Sequence, residues 1–255
     1  MKKLILSACT IGMLSLLSGC DTLQQLSKEN GLPNFPSIPN VNIPLSNEEV
    51  IKGLKSALNV GTDTSISILG RTNGYFSDAL IKLALPPEAQ PIVNNITKIP
   101  GGQKLLNDAI LAINRAAEDA APQAKTIFVN AITGINITDG FNILRGDNNA
   151  ATMYLKNQTY SQLTGAFAPR IRTSLSKPLV LGISAESAYK SLIDGYNTAS
   201  MNGLLFQQIK QNSLATYTTQ KALDGLFLKV ANEETKIRQD VSHRINDILK
   251  RVFGK

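Results

Sequence analysis

The sequence predicts an all-α fold, a single multi-helix domain behind a leader and a Pro-rich tether. Three features of its 255 residues carry that reading. Apolar residues recur at i, i+3, i+4 and i+7 through several long stretches, the period of a helix buried along one side. Ser, Thr and Asp stand just ahead of those stretches, and Gly or Pro just behind them, as helix starts and stops require. Runs of β-branched residues are short and lack sustained alternation, so strands have no support.

In chain order the leader comes first. Lys2 and Lys3 head an apolar run over residues 4–17, too short to span a bilayer and followed by polar chain. Leu17-Ser18-Gly19-Cys20 closes it as a lipobox. The chemistry expected is a thioether from Cys20 to diacylglycerol, cleavage just before it and acylation of the new N-terminus. The expected organisation is a signal peptide at 1–19, a lipidated Cys20 with a Pro-rich tether at 20–44, and a helical domain at 45–255. That places the mature chain in the cell envelope, anchored in a membrane through Cys20 and facing the periplasm, with inner or outer membrane left open. Pro33, Pro36, Pro39 and Pro44 favour extended polyproline II. At ~3.1 Å per residue such a tether reaches at most roughly 70 Å.

Processing changes the charge and thiol counts. Loss of Lys2 and Lys3 leaves 24 basic residues against 19 acidic ones, a net charge of +5. This balance weakly favours an anionic membrane or wall polymer. Cys9 leaves with the signal and Cys20 is consumed by lipid, so no thiol remains for a disulfide, a metal or a nucleophile. The chain has no Trp and few aromatics, which argues against nucleic acid as a partner.

The domain opens at Ser46-Asn47-Glu48-Glu49, a capping box ahead of Val50, Ile51, Leu54, Ala57 and Leu58. Gly61 is expected to end this helix, and a short one over residues 64–69 to follow. Asn73-Gly74 marks a turn, and residues 75–85 have no clear period. Pro86-Pro87 restarts the chain into a helix over residues 90–99. The clearest helix is residues 103–121, with Leu106, Ala109, Ile110, Ile113, Ala116, Ala117 and Ala120 on one side. Pro122 kinks it into residues 123–132. Thr138 should cap a short helix ending at Gly146, and Asp147 another through Leu155. Thr159 and Gln162 form a second capping box that starts a fresh helix towards Pro169. Ser184 caps the next helix, and residues 201–212 read as loop. Residues 216–238 form the last long helix, with interior Gly225 implying another backbone against it. Asp240 should cap a final amphipathic helix carrying Val241, Ile245, Ile248, Leu249 and Val252.

The candidate chemistry is acidic. Glu118, Asp119, Asp224, Glu233 and Glu234 are the candidate catalytic carboxylates for glycan hydrolysis, which needs two such groups facing across ~5–10 Å. Helix neighbours point about 100° apart, so a dyad requires carboxylates from separate helices. The competing reading is ion pairing on helix surfaces, Arg115 with Asp119 and Glu234 with Arg238. His243, the one histidine, has Asp240 and Asp247 near it but no nucleophile motif beside it. With one His and no free Cys, no metal or cofactor is expected. Arg145-Gly146-Asp147 reads better as a helix end and a helix start than as an adhesion motif.

Four stretches together resemble one bacterial family: Gly53-Leu-Lys-Ser-Ala-Leu-Asn-Val-Gly61, Asn114-Arg-Ala-Ala-Glu-Asp-Ala-Ala-Pro122, Ile143-Leu-Arg-Gly146 with Ala150-Ala-Thr-Met-Tyr154, and Thr219-Gln-Lys-Ala-Leu-Asp-Gly-Leu-Phe227. Glu233-Glu-Thr-Lys-Ile-Arg238 and Arg251-Val-Phe-Gly254 extend the likeness, which covers residues 45–255. The family is the lipoprotein-associated "domain of unknown function 4197". The resemblance implies a helical envelope domain with no activity to carry over. It also implies an acidic run just before Thr219, where this chain has Asn212-Ser-Leu-Ala-Thr-Tyr217.

The leading expectation is a non-catalytic, lipid-anchored domain that binds an envelope protein or an apolar ligand. The alternatives are a cell-wall glycan hydrolase and a basic surface for anionic polymers.

Overall fold

The structure is a computed structural model that describes residues 44–178, 182–201, 203–210 and 213–254. Cys20, the lipobox and the tether lie outside the described residues. Leu45–Lys255 form one compact unit, and its described residues contain helices and turns with no paired sheet.

Ser46 fixes the start of α1 (Asn47–Leu69) as the capping box requires. Its hydroxyl accepts from the Glu49 amide at 3.1 Å, and the Glu49 carboxylate accepts from the Ser46 amide at 3.0 Å. The helix does not end at Gly61. It runs on, with the buried Thr62 and Ser65 hydroxyls donating to Leu58 O and Gly61 O at 2.8 and 2.7 Å. A Cβ at Gly61 would stand 3.5 Å from Glu233 Cβ, so this glycine marks a helix crossing rather than a helix end.

Asn73 turns the chain at φ 70°, and Pro87–Ala89 form a single 3-10 turn. The helix expected over 90–99 is instead α2 (Gln90–Asn94) and a 3-10 turn, Ile96–Lys98. Asn95 separates them by donating its side-chain amide to Pro91 O at 3.0 Å, in competition with the helix backbone. Helix α3 (Gly102–Ala120) leads through a 3-10 turn at Pro122 into α4 (Ala124–Thr133), as the sequence predicts. Helix α5 (Ile137–Arg145) is capped by Asn136, two residues before Thr138.

Where the sequence suggests a break at Thr159, α6 (Ala150–Ser176) is continuous. Thr159 is buried and donates to Leu155 O at 2.6 Å, so its hydroxyl serves the helix interior. Pro169 also lies inside α6. Its ring would clash with the carbonyl four residues back, but that residue is the exposed Gly165, which has no neighbour within 4 Å of a Cβ position.

Helix α7 (Ala185–Ala199) carries the predicted Ser184 cap, and α8 (Leu214–Gln239) starts at Ser213. The single last helix expected from Asp240 is a 3-10 turn (Val241–His243) followed by α9 (Asp247–Phe253), capped by Asn246. The physical reason is Arg244, which turns back to hydrogen-bond the end of α8. Val241 and Ile245, expected inside, are therefore 66% and 68% exposed.

Helix α6 is central, touching α3, α4, α5, α7 and α8. Seven of its nine buried positions, Ala151, Leu155, Thr159, Leu163, Phe167, Ile171 and Leu175, repeat every four residues. Each step advances about 40° around the axis, so the stripe winds roughly 240° along the helix. That winding lets one helix serve several neighbours. Phe128 of α4 meets Phe227 of α8 edge-on at 5.8 Å, and Tyr160 of α6 stacks on Phe227 at 6.3 Å.

Gly225 also departs from expectation. It faces the Tyr75 ring and the Ile81 side chain, at 2.8 and 3.2 Å from a Cβ position, rather than another backbone.

Candidate functional site

Helix α8 places Glu234 and Arg238 one turn apart in a buried corner. Glu234 accepts from the Ala151 and Thr152 amides at 3.0 and 2.8 Å, and from the Thr152 hydroxyl at 2.8 Å. It thus caps α6, whose own N-cap residue Asn149 makes no side-chain cap bond. Arg238 donates to Glu234 at 2.9 Å and to Ile143 O at 2.9 Å, the last turn of α5. An anion meets the positive end of one helix, and a cation the negative end of another. Arg244 completes the corner by donating to Ile237 O and Arg238 O at 3.1 and 2.9 Å, capping α8 itself. The cavity beside this pair, bordered by Leu54, Leu58 and Val230, is about 20 Å³. That is room for about one water and far below the few hundred Å³ a substrate needs.

Glu118 is likewise buried. It accepts from the Tyr75 and Phe76 amides at 3.2 Å each and pairs with Arg115 at 2.6 Å. Arg115 therefore partners Glu118 and not Asp119. Asp119 meets Arg170 at 3.0 Å, Lys177 at 3.7 Å and the Ser174 hydroxyl, linking α3 to the end of α6. Burial works to raise its carboxyl, but the Ser174 hydrogen bond and the Arg170 and Lys177 charges outweigh it and hold it below the ordinary range.

The other candidates lie apart from these. Glu233 packs against α1 at Gly61 and binds Lys236 at 2.7 Å. Asp224 is exposed and pairs with Lys221 at 3.2 Å. Glu234 pairs with Arg238 as the spacing predicts, but Glu234 and Glu118 are buried and Arg238 is partly buried, rather than lying on a helix surface. His243 binds Asp240 at 3.0 Å near the surface, while Asp247 pairs with Lys250 at 3.5 Å. Gly146 ends α5, but Asp147 supplies only its carbonyl to Ala150. Among the described residues no cluster of three or more His, Cys, Asp or Glu side chains is arranged for a metal.

A much larger concave surface lies elsewhere. Between α1 and residues 135–138 runs a groove of about 950 Å³. Helix α1 lines it with Glu48, Ile51, Lys52, Lys55, Asn59 and Val60, the side opposite its buried stripe. Ile135 and Ile137 form the facing wall, and Ile137 is 51% exposed. Lys55 donates to Thr133 O at 2.8 Å, which fixes its ammonium at the groove.

The family described as Protein of unknown function (DUF4197) matches residues 44–254. The chain belongs to the DUF4197 family. No curated protein and no solved structure matches it. Within this DUF4197 chain, the segment that departs from the expected acidic run serves the fold: Ser213 caps α8, and the Tyr217 hydroxyl donates to Leu85 O at 3.2 Å.

Two buried polar groups of the DUF4197 domain escape sequence reading. Asn114 exchanges hydrogen bonds with the Leu83 backbone at 2.9 and 2.8 Å, acting as backbone partner for the loop over residues 75–85. Its signal was present, since it sits four residues from Ile110 within an apolar stripe. Arg244 gave no comparable sign.

Proposed function

We propose that this protein is a non-catalytic, lipid-anchored helical binding module of the cell envelope, tethered through Cys20 and facing the periplasm. It engages its ligand or partner at the groove between α1 and residues 135–138. One observation carries the reading: the carboxylates nominated for hydrolysis each engage a basic side chain within the fold, and Glu118 and Glu234 also bind backbone amides. A catalytic acid or base must reach the proton it moves. The groove on α1 is instead apolar and lysine-rimmed, as binding sites with a few placed polar groups are.

Native mass spectrometry of the chain, released gently from membranes, tests this. The expected result is a reproducible extra mass that is lost on denaturation. Release of soluble fragments from peptidoglycan by the wild type, vanishing in Glu233→Gln or Asp224→Asn, would overturn the non-catalytic reading in favour of a hydrolase.

A further inference from the structure

We infer that the groove takes a long-chain fatty acid, an extended acyl chain bearing one carboxylate head. The inference rests on the binding-module reading and names the ligand for the same face. Its apolar lining is Ile51, Val60 and Ile137 over the buried Ile135, and its polar lining is mostly small and neutral, Ser56, Asn59, Asn136 and Thr138. From Glu48 to Val60 the α1 wall runs about 18 Å, at roughly 1.5 Å per residue. That open face is long enough for an extended apolar chain to lie along it.

The charges supply the head-group site. Lys52 and Lys55 stand at i and i+3 on α1, side by side on the groove. Lys55 commits one ammonium proton to Thr133 O and retains two donors. Lys52 has no acceptor among the described residues. Two cations one turn apart on the same lining suit a single anionic head. A partner helix laid along the groove would present a row of polar side chains, for which the lining offers only Glu48, Lys52 and Lys55 as charged partners. Covering Ile137 adds apolar burial that the isolated domain lacks.

The test is photolabelling of the full chain in its membrane with hexadecanoic acid carrying a chain diazirine, followed by peptide mapping. Label is expected on the peptides that hold Ile51, Val60 and Ile137. Lys52→Glu should lower it on the order of fivefold or more. Ile137→Asp should lower it similarly without harming the fold, because an acid at the first residue of α5 suits the helix dipole. The matching alcohol probe should label weakly, and Leu80→Asp, at an exposed apolar site elsewhere, should change nothing. Label spread over exposed sites such as Leu80 and Leu204, or indifferent to both groove variants, overturns the inference. Such a failure alongside a retained mass of another chemical class leaves the binding module standing. No retained mass and no groove label sinks both.

Discussion

Glu234 and Arg238 show how one pair of residues can hold several elements at once. Glu234 is buried and Arg238 partly so, and each is answered by a partner ion and by the backbone at a helix end. Their spacing was legible in the sequence; what they cap was not, because α6 begins 84 residues earlier and only the fold brings its first amides there. Asp119 makes a prediction about acid. Its carboxyl is held below the ordinary value, so its stabilisation is present at neutral pH and lost as pH falls through the folded-state value, below the ordinary carboxylate range. Asp119→Asn should lower stability at pH 7 and flatten the acid limb of a melting-temperature profile. Parallel acid limbs for the two proteins would contradict this. The two interior glycines predict opposite signs. Gly61→Ala meets only ordinary contact with Glu233 and should stabilise by up to about 1 kcal/mol through helix propensity. Gly225→Ala drives a methyl into the Tyr75 ring and should destabilise by about 1–3 kcal/mol. Urea midpoints of both variants decide the pair.

At the scale of elements, local signals worked where a helix start is a local matter. Ser46 and Ser184 cap where the sequence says, and Pro87 and Pro122 sit in the turns they predict. They failed where tertiary contacts override them. Gly61 and Thr159 look like boundaries to the backbone alone, yet each lies within a helix held by its neighbours. In α6 the four-residue repeat also rotates the apolar stripe around the axis, so no single side stays apolar for long and the continuity is hidden. Hydrogen exchange checks this directly. Protection should run unbroken from Leu155 to Phe167, whereas fast exchange at residues 159–162 would restore the break. Thr159→Ala should cost no more than about 1 kcal/mol, since it removes a back-bond within the helix rather than a cap.

For the molecule as a whole, the fold class and the family were readable before any coordinates, while the candidate site was not. The groove is assembled from the outward side of α1 and a segment 75 residues further on, and its apolar members are too scattered in sequence to form a stripe. The acidic residues drew attention because catalysis uses their chemistry, but this domain employs Glu118 and Glu234 to tie loops and helix ends together. The two roles differ in sign. A carboxylate kept for chemistry is commonly held at a cost to stability, so neutralising it leaves the fold unharmed or firmer. A carboxylate that caps a helix and pairs with a partly buried Arg leaves that Arg and the helix amides unanswered when neutralised. Equilibrium unfolding of Glu234→Gln in guanidinium chloride is the measurement to make. The structural role predicts a loss on the order of 3 kcal/mol at neutral pH. An unchanged or raised stability would contradict it and return Glu234 to the candidates for chemistry.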